Sequence, residues 1–552
     1  MPTPNSRRAL LRPALTSALG AAAIVALVVT AAIFLLYFGV YAAYARGLFE
    51  FPFDYDQGEG FELFDGIRLA RGQNIYLDNA VFPYYASNYP PVYRLLLVPL
   101  IWLFGPKLVV ARVLTWVMSL GIGLAIFAAV RAAWTRRDSS NAGRAFWLAG
   151  AVIAAVCGLA FFAANYVYQI GPLARAHLPM VMFGMFGVLC LERAFAGPRP
   201  ARGWATAGVA LLLVAGFTKL QAVDALAAGF GLLLLRRPRW GVAALGISAV
   251  VSGTIVLALN VATGGQFWLN VVAANVNEYS LDRTWEIYAE FWRLQAPLVL
   301  CGVAHVGLDL WTAIRKRSTE PISIWSLYFL GGIALGMLTG KWGAGPVYLI
   351  ASIGAGAVCA GRLAARLDSS LVKRIGAGPG LALAALAFSG LLVWQAGLNI
   401  HLPTSGRLFG ALARVLGVES RSSYPPFAYY DSVGYTQLGH LLDPADIANG
   451  WEIVAAVRNA PGPVWSEEAM LTLLAGKDVL TNPTQLYNLS KAGLLDTRDM
   501  ISRIRRREFG LVIFRAQFYP DDVKDAIGQN YRWARSIKMN GFDYWLLEPL
   551  ER

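Results

Sequence analysis

What most constrains this chain is a series of apolar blocks, most of them near twenty residues long and almost free of charge, that recurs from residue 14 to residue 398. A helix needs roughly 20 such residues to cross a hydrocarbon core of about 30 Å, where every backbone N–H and C=O must be satisfied within the segment. Roughly eleven blocks fit: 14–45, 108–130, 146–164, 173–192, 203–218, 222–235, 240–262, 296–314, 322–340, 344–361 and 377–398. With 57% hydrophobic and only 15% charged residues, most of the chain cannot be soluble, since soluble domains average about 25% charged. The expected fold class is an all-α polytopic membrane protein of about 11 transmembrane helices.

A net charge of +14 would suit a nucleic-acid binder, but the positions of the bases exclude that reading. Arg7, Arg8 and Arg12 precede the first block, and Arg131, Arg136, Arg137 and Arg144 separate the second from the third. Further clusters follow at Arg193, Arg199 and Arg202, at Arg236, Arg237 and Arg239, at Arg315, Lys316 and Arg317, and at Arg362, Arg366, Lys373 and Arg374. With a cytoplasmic N-terminus, roughly twenty of the 48 basic residues face the cytoplasm and satisfy the positive-inside rule. The stretch 89–104 carries Pro90, Pro91, Arg94 and Pro99, and counting it as a span would invert every later loop, so it is expected to lie at the interface. The first apolar run is far longer than the 7–15 residues of a signal-peptide core and is read as a retained helix. Arginine far outnumbers lysine and Ala and Gly are abundant, as in GC-rich bacterial genomes, which points to a bacterial cytoplasmic (inner) membrane. Cys157, Cys190, Cys301 and Cys359 all fall inside blocks, so neither a disulfide framework nor a zinc site is expected.

Three regions remain outside: the first loop 46–107, the segment 263–295, and the C-terminal 399–552. The last has soluble composition. Its strand-like runs at 464–465, 511–514 and 544–547 and helical runs at 467–475, 498–508 and 521–529 predict a small α/β extracytoplasmic domain. A Pro/Ser/Tyr-rich stretch between Gly397 and Trp451, with Tyr424-Pro425-Pro426, reads as a linker or an acceptor-facing loop after the transmembrane domain 1–398. Tyr429, Tyr430, Trp465 and Trp545 are candidates for stacking on sugar, the alternative being a place in the small domain's core.

The first loop concentrates Asp54, Asp56, Glu59 and Glu62 just before a helix expected near 60–71. Carboxylates at a partly desolvated interface serve as general bases or hold a divalent cation; an acidic outer loop is also what positive-inside sorting leaves behind. There is no P-loop, no GxGxxG after a strand and no GxSxG.

Asp56-Gln57-Gly58-Glu59-Gly60, then Leu69 to Tyr76, Asn88-Tyr89-Pro90-Pro91-Val92-Tyr93, and Phe104-Gly105 with Ala111-Arg112-Val113-Leu114 follow in an order that resembles GT-C membrane glycosyltransferases. The likeness is to the bacterial branch akin to protein O-mannosyltransferases and lipid A aminoarabinose transferase. It continues at Arg175-Ala176-His177-Leu178-Pro179, Phe217-Thr218-Lys219-Leu220-Gln221 and Gly340-Lys341-Trp342-Gly343-Ala344. The resemblance implies transfer of a sugar from a polyprenyl-phosphate carrier to a glycan, lipid or protein acceptor, with the bilayer as partner and no nucleic acid. A first-loop carboxylate would be the base, Asp56 or Glu59 first and Asp54 third, and the anomeric centre would invert. Lys341, Lys219, Arg175 and His177 would meet the donor phosphate, and Tyr55, Tyr89 and Glu278 the acceptor. Where relatives carry an acid this chain has His177, so no cofactor and metal-independent chemistry are expected. Lys219 and Lys341 could also snorkel at helix ends, or Lys219 could pair with Asp224. A flippase or exporter of lipid-linked sugar is the alternative class; a charge-free mid-membrane and the lack of an inverted repeat weigh against it.

Overall fold

The first apolar block extends into a single 47-residue helix, α1 (Pro4–Glu50). The computed structural model describes residues 4–134, 141–399 and 444–551, with 411–412, 414–415 and 442. Tyr424-Pro425-Pro426, Tyr429 and Tyr430 lie outside the described residues. After α1 come α2 (Glu59–Ala70), α3 (Val92–Phe104), α4 (Leu108–Arg131), α5 (Asn141–Ala163), α6 (Asn165–Ile170), α7 (His177–Ala194) and α8 (Arg202–Thr218). The bundle continues with α9 (Val223–Arg236), α10 (Pro238–Ala262), α11 (Gln266–Val271), α12 (Leu281–Lys316), α13 (Ile324–Leu335), α14 (Ile350–Ile375) and α15 (Ala377–Leu398).

Among the described residues eight helices are long and apolar enough to cross a membrane: α1, α4, α5, α7, α10, α12, α14 and α15. The other three expected spans are shorter helices, α8 of 17 residues, α9 of 14 and α13 of 12. The chain is thus a multi-pass membrane protein. The expected interfacial helix at 89–104 is α3, only 13 residues long with Pro99 inside it. Small residues let helices approach: a Cβ on Gly158 of α5 would lie 2.8 Å from the carbonyl oxygen of Gly123 on α4.

The C-terminal sheet has four strands, β1 (Val464–Ser466), β2 (Leu511–Phe514), β3 (Tyr531–Met539) and β4 (Phe542–Pro549), ordered β1-β2-β4-β3. β1 and β2 are parallel; β4 runs antiparallel to both β2 and β3. β3 is not anticipated from the sequence, because Arg532, Arg535 and Lys538 interrupt its hydrophobic pattern. Its signal is the Asn540-Gly541 turn, whose φ values of 52° and 76° are those of a tight hairpin. The helix Pro444–Asn459 also corrects the linker reading, which ran to Trp451. Trp465 is core, against Tyr84, Phe509 and Tyr519, whereas Trp545 is exposed.

This domain is seated on the first loop. Asn540 Nδ2 donates to the Tyr55 carbonyl at 2.8 Å, Asn482 Nδ2 to that of Ala86 at 3.2 Å, and Gln485 Nε2 to Asn270 Oδ1 at 2.7 Å. The first two amides satisfy carbonyls of the first loop that no helix or strand covers, and the third ties the domain to α11.

Candidate active site

At the end of the bundle that carries the C-terminal domain, six parts of the chain line a cavity of about 90 Å³. Asp56, Glu62 and Asp65 come from the start of α2 and the loop before it, Tyr89 and Arg94 from the start of α3, and Arg175 from the turn into α7. Arg283 of α12 and Trp342 close one side, and Asn482, Thr484 and Phe518 of the C-terminal domain close another.

The four expected carboxylates separate into different roles. Glu59 is fully buried and its two oxygens take the fork of Arg112, at 2.9 Å from Nε and 2.7 Å from Nη2. They also accept the N–H groups of Ala174 at 2.8 Å and Tyr55 at 3.0 Å. Burial would raise its pKa, but Arg112 and these donors hold it below the usual value. The same guanidinium reaches the carbonyls of Leu48, Phe51 and Phe53, satisfying backbone that the end of α1 leaves open. Glu59 therefore ties α1, α2, α4 and the turn into α7 together and has no oxygen left for a substrate, which corrects its assignment as base. Asp54 is corrected too. It accepts the Gly60 N–H and, at 3.0 Å, the Met470 N–H, so it binds the C-terminal domain to the loop. Burial and then the charge of Glu468 push its pKa well up.

Asp56 is different. Oδ2 is held by Arg175, with Nε at 2.6 Å, while buried Oδ1 has no partner. Burial raises its pKa and Arg175 pulls it part of the way back. Glu62 and Asp65 share Arg94, at 2.6 Å and 3.3 Å, and Tyr85 donates to Asp65 at 2.7 Å. Burial pushes Asp65 up to about 6 against the pull of Arg94.

A second, more apolar cavity of about 210 Å³ adjoins the first through Asn88 and Tyr89. Its walls include Leu220, Val223 and Leu338, which are 46%, 57% and 49% exposed, so it opens to the surface among exposed apolar side chains. Lys341 lines it, and its Nζ donates to the Asn275 carbonyl at 2.7 Å; burial lowers its pKa. Lys219, just beyond α8, puts Nζ 2.7 Å from His177 Nε2 and 4.2 Å from the centroid of the Tyr89 ring. Burial and then Arg175 lower its pKa well below the ordinary lysine value. The pairing of Lys219 with Asp224 does not form: Asp224 Oδ1 accepts the Ala225 N–H at 2.7 Å.

Tyr89 lies between the two cavities, under both Lys219 and Arg94. Tyr55 does not face them. It is core between Tyr44 and Phe51, and its carbonyl receives Asn540 and Arg515. Glu278 is exposed and only its carbonyl is engaged, by the Trp342 N–H at 2.8 Å. Arg94, Arg283, Trp342 and Phe518 were missed as site residues. Two of them had a signal: Arg94 as a lone arginine in an apolar stretch and Trp342 as part of the Gly340 to Ala344 motif. Among the described residues no three His, Cys, Asp or Glu side chains gather as the ligands of one metal would.

The described chain thus combines a helical bundle, an acidic cavity at one end, an adjoining apolar groove and a small α/β domain set over them. In overall structure the chain is similar to apo ArnT from Cupriavidus metallidurans, with a TM-score of 0.51 at 15% identity over 93% of this chain and 97% of that one. The same protein bound to undecaprenyl phosphate aligns with a TM-score of 0.51 at 15% identity over 94% and 97%. An Archaeoglobus fulgidus oligosaccharyltransferase is less similar, at TM-score 0.45 and 12% identity over 93% of this chain and 73% of that one. No family model and no curated protein matches the sequence.

Proposed function

We propose that this chain is a membrane glycosyltransferase that moves a sugar from a polyprenyl-phosphate carrier to an acceptor on the outer face of a bacterial inner membrane. The observation that carries the reading is Asp56: it lines a cavity that adjoins an apolar groove, and Arg175 fixes one of its oxygens while the other, buried, has no hydrogen-bond partner. The similarity in fold to ArnT, seen with undecaprenyl phosphate, supports a donor of that kind. The carrier's apolar chain enters the groove and its phosphate meets Lys341, Lys219 and Arg175, with His177 buttressing Lys219. The acceptor hydroxyl attacks the anomeric carbon and gives its proton to Asp56 Oδ1. The bond from that carbon to the phosphate oxygen breaks, and the polyprenyl phosphate leaves with the electron pair, its charge met by the cations. Single displacement inverts the centre.

Chemistry without a metal fits the donor set, because each cavity carboxylate already faces a guanidinium. Residues 1–398 form the transferase domain, and 399–552 an extracytoplasmic cap. Arg131, Arg193, Arg236, Arg315 and Arg362, at the end away from the cap, support a cytoplasmic N-terminus. The test uses the purified full chain. Undecaprenyl phosphate should raise its melting temperature, and Lys341→Ala and Arg175→Ala should abolish the rise. Transfer from an undecaprenyl-phosphate sugar should disappear in Asp56→Asn and persist in EDTA. Unchanged transfer by Asp56→Asn would remove the assigned base; loss of transfer in EDTA, restored by Mg²⁺, would remove the metal-free mechanism.

A further inference from the structure

Three arginines line the acidic cavity, and they are not equivalent. Arg94 and Arg175 are neutralised by carboxylates. Among the described residues no ion pair reaches Arg283: Nη2 donates to the Ala344 carbonyl at 3.0 Å, and the buried Nε has no partner. Its position compounds the cost, because it lies in the first turn of the 36-residue α12, where the helix dipole disfavours a cation and favours an anion. Beside it stands an aromatic shelf. Trp342 lies against Tyr487 with ring centroids 4.6 Å apart and meets the edge of Phe518 at 6.0 Å.

The backbone that presents Phe518 is strained and built. Gln517 has φ of 58°, a left-handed conformation that strains a non-glycine residue. It is held by the buried carboxylate of Glu467, which accepts the N–H groups of Ala516 and Phe518, each at 2.7 Å, and that of Arg515. The proton transfer and donor binding proposed above use neither this clamp nor Arg283.

We infer that this wall is the acceptor subsite and that the acceptor sugar carries a carboxylate, as a uronic acid does, held by Arg283 while its ring rests on Trp342 and Phe518. A planar guanidinium edge matches a carboxylate in geometry; with Asp56, Glu62 and Asp65 already set against the cavity's three arginines, a monoanion adds a single negative charge where a phosphate dianion would add two. Calling the ligand an acceptor rests on the transferase reading; the recognition itself does not.

Binding of glucuronate, glucose and glucose 1-phosphate to the detergent-solubilised full chain tests it, read by saturation-transfer NMR without turnover. Glucuronate is expected to bind about tenfold or more tightly than glucose, the scale of one charged hydrogen-bonded contact. Arg283→Gln should bring glucuronate down to the level of glucose, Arg283→Lys should retain part of the difference, and Phe518→Ala should weaken both sugars by the same factor. Stabilisation by undecaprenyl phosphate should survive in all three variants and reports that they are folded. Equal binding of glucuronate and glucose by the wild type, indifference of glucuronate to Arg283→Gln, or a preference for glucose 1-phosphate would each overturn the inference. Glucuronate binding with no transfer activity would instead count against the transferase reading alone.

Discussion

Asp56 and Glu59 lie three residues apart, both buried and both facing an arginine, yet they belong to different parts of the molecule's economy. Glu59 meets the fork of Arg112 with both oxygens and adds backbone donors until nothing is left over. Asp56, which lines the cavity, meets Arg175 with one oxygen and has no hydrogen-bond partner on the other. The first arrangement joins helices and the second leaves a lone pair for chemistry. A carboxylate's neighbours, rather than its presence in an acidic loop, decide which it does.

Neutral substitutions separate the two most sharply. Asp56→Asn should lower kcat by about 10²–10⁴, the span of general-base catalysis, with a melting temperature close to wild type. Glu59→Gln should act on the fold, since it leaves buried Arg112 without its counter-charge. The expected loss is about 3–5 kcal/mol, read as a lowered unfolding midpoint in detergent. If the two outcomes were exchanged, the contrast drawn here would be wrong.

A smaller effect should come from Gly58→Ala. The new Cβ would stand 2.0 Å from Arg175 Nη1, so the guanidinium must move off Asp56. Misplacement on that scale can cost up to about 10²-fold in kcat, with melting temperature unchanged. The pH profile sharpens the picture further. The base works ionised, and burial raises the pKa of Asp56 against the pull of Arg175, so kcat/KM should fall with acid at a higher pH than for an ordinary carboxylate. The gentlest effect belongs to Lys219. Its lowered pKa means that charge is lost as pH rises through a range where ordinary lysines stay ionised, so undecaprenyl-phosphate binding should weaken there, and Lys219→Met should flatten the dependence.

The spans were legible because a membrane leaves a long, local signature. The eight full-length helices and the short α3 follow from apolar length and proline placement. The site was legible only in part. Asp56, Arg175, Lys341 and Tyr89 do reach the cavities, but Asp54 and Glu59 do not line them, because their donors arrive from Met470 and Arg112, 416 and 53 residues further along the chain. Tyr55 was likewise taken for a contact residue and is core. The hairpin of β3 and β4 did have a local signal, Asn540-Gly541, which was outweighed by the charged face of an edge strand.

The sequence by itself determined that the chain is a helical membrane protein with acidic residues gathered in its first loop, since both are matters of composition along a continuous segment. Only the tertiary structure decided which carboxylate keeps a free oxygen, and that Arg283, Trp342 and Phe518 share a cavity with it. Those outcomes depend on which donors, from distant segments, happen to fill the space around each charge, and a buried charge takes its character from the partners that surround it.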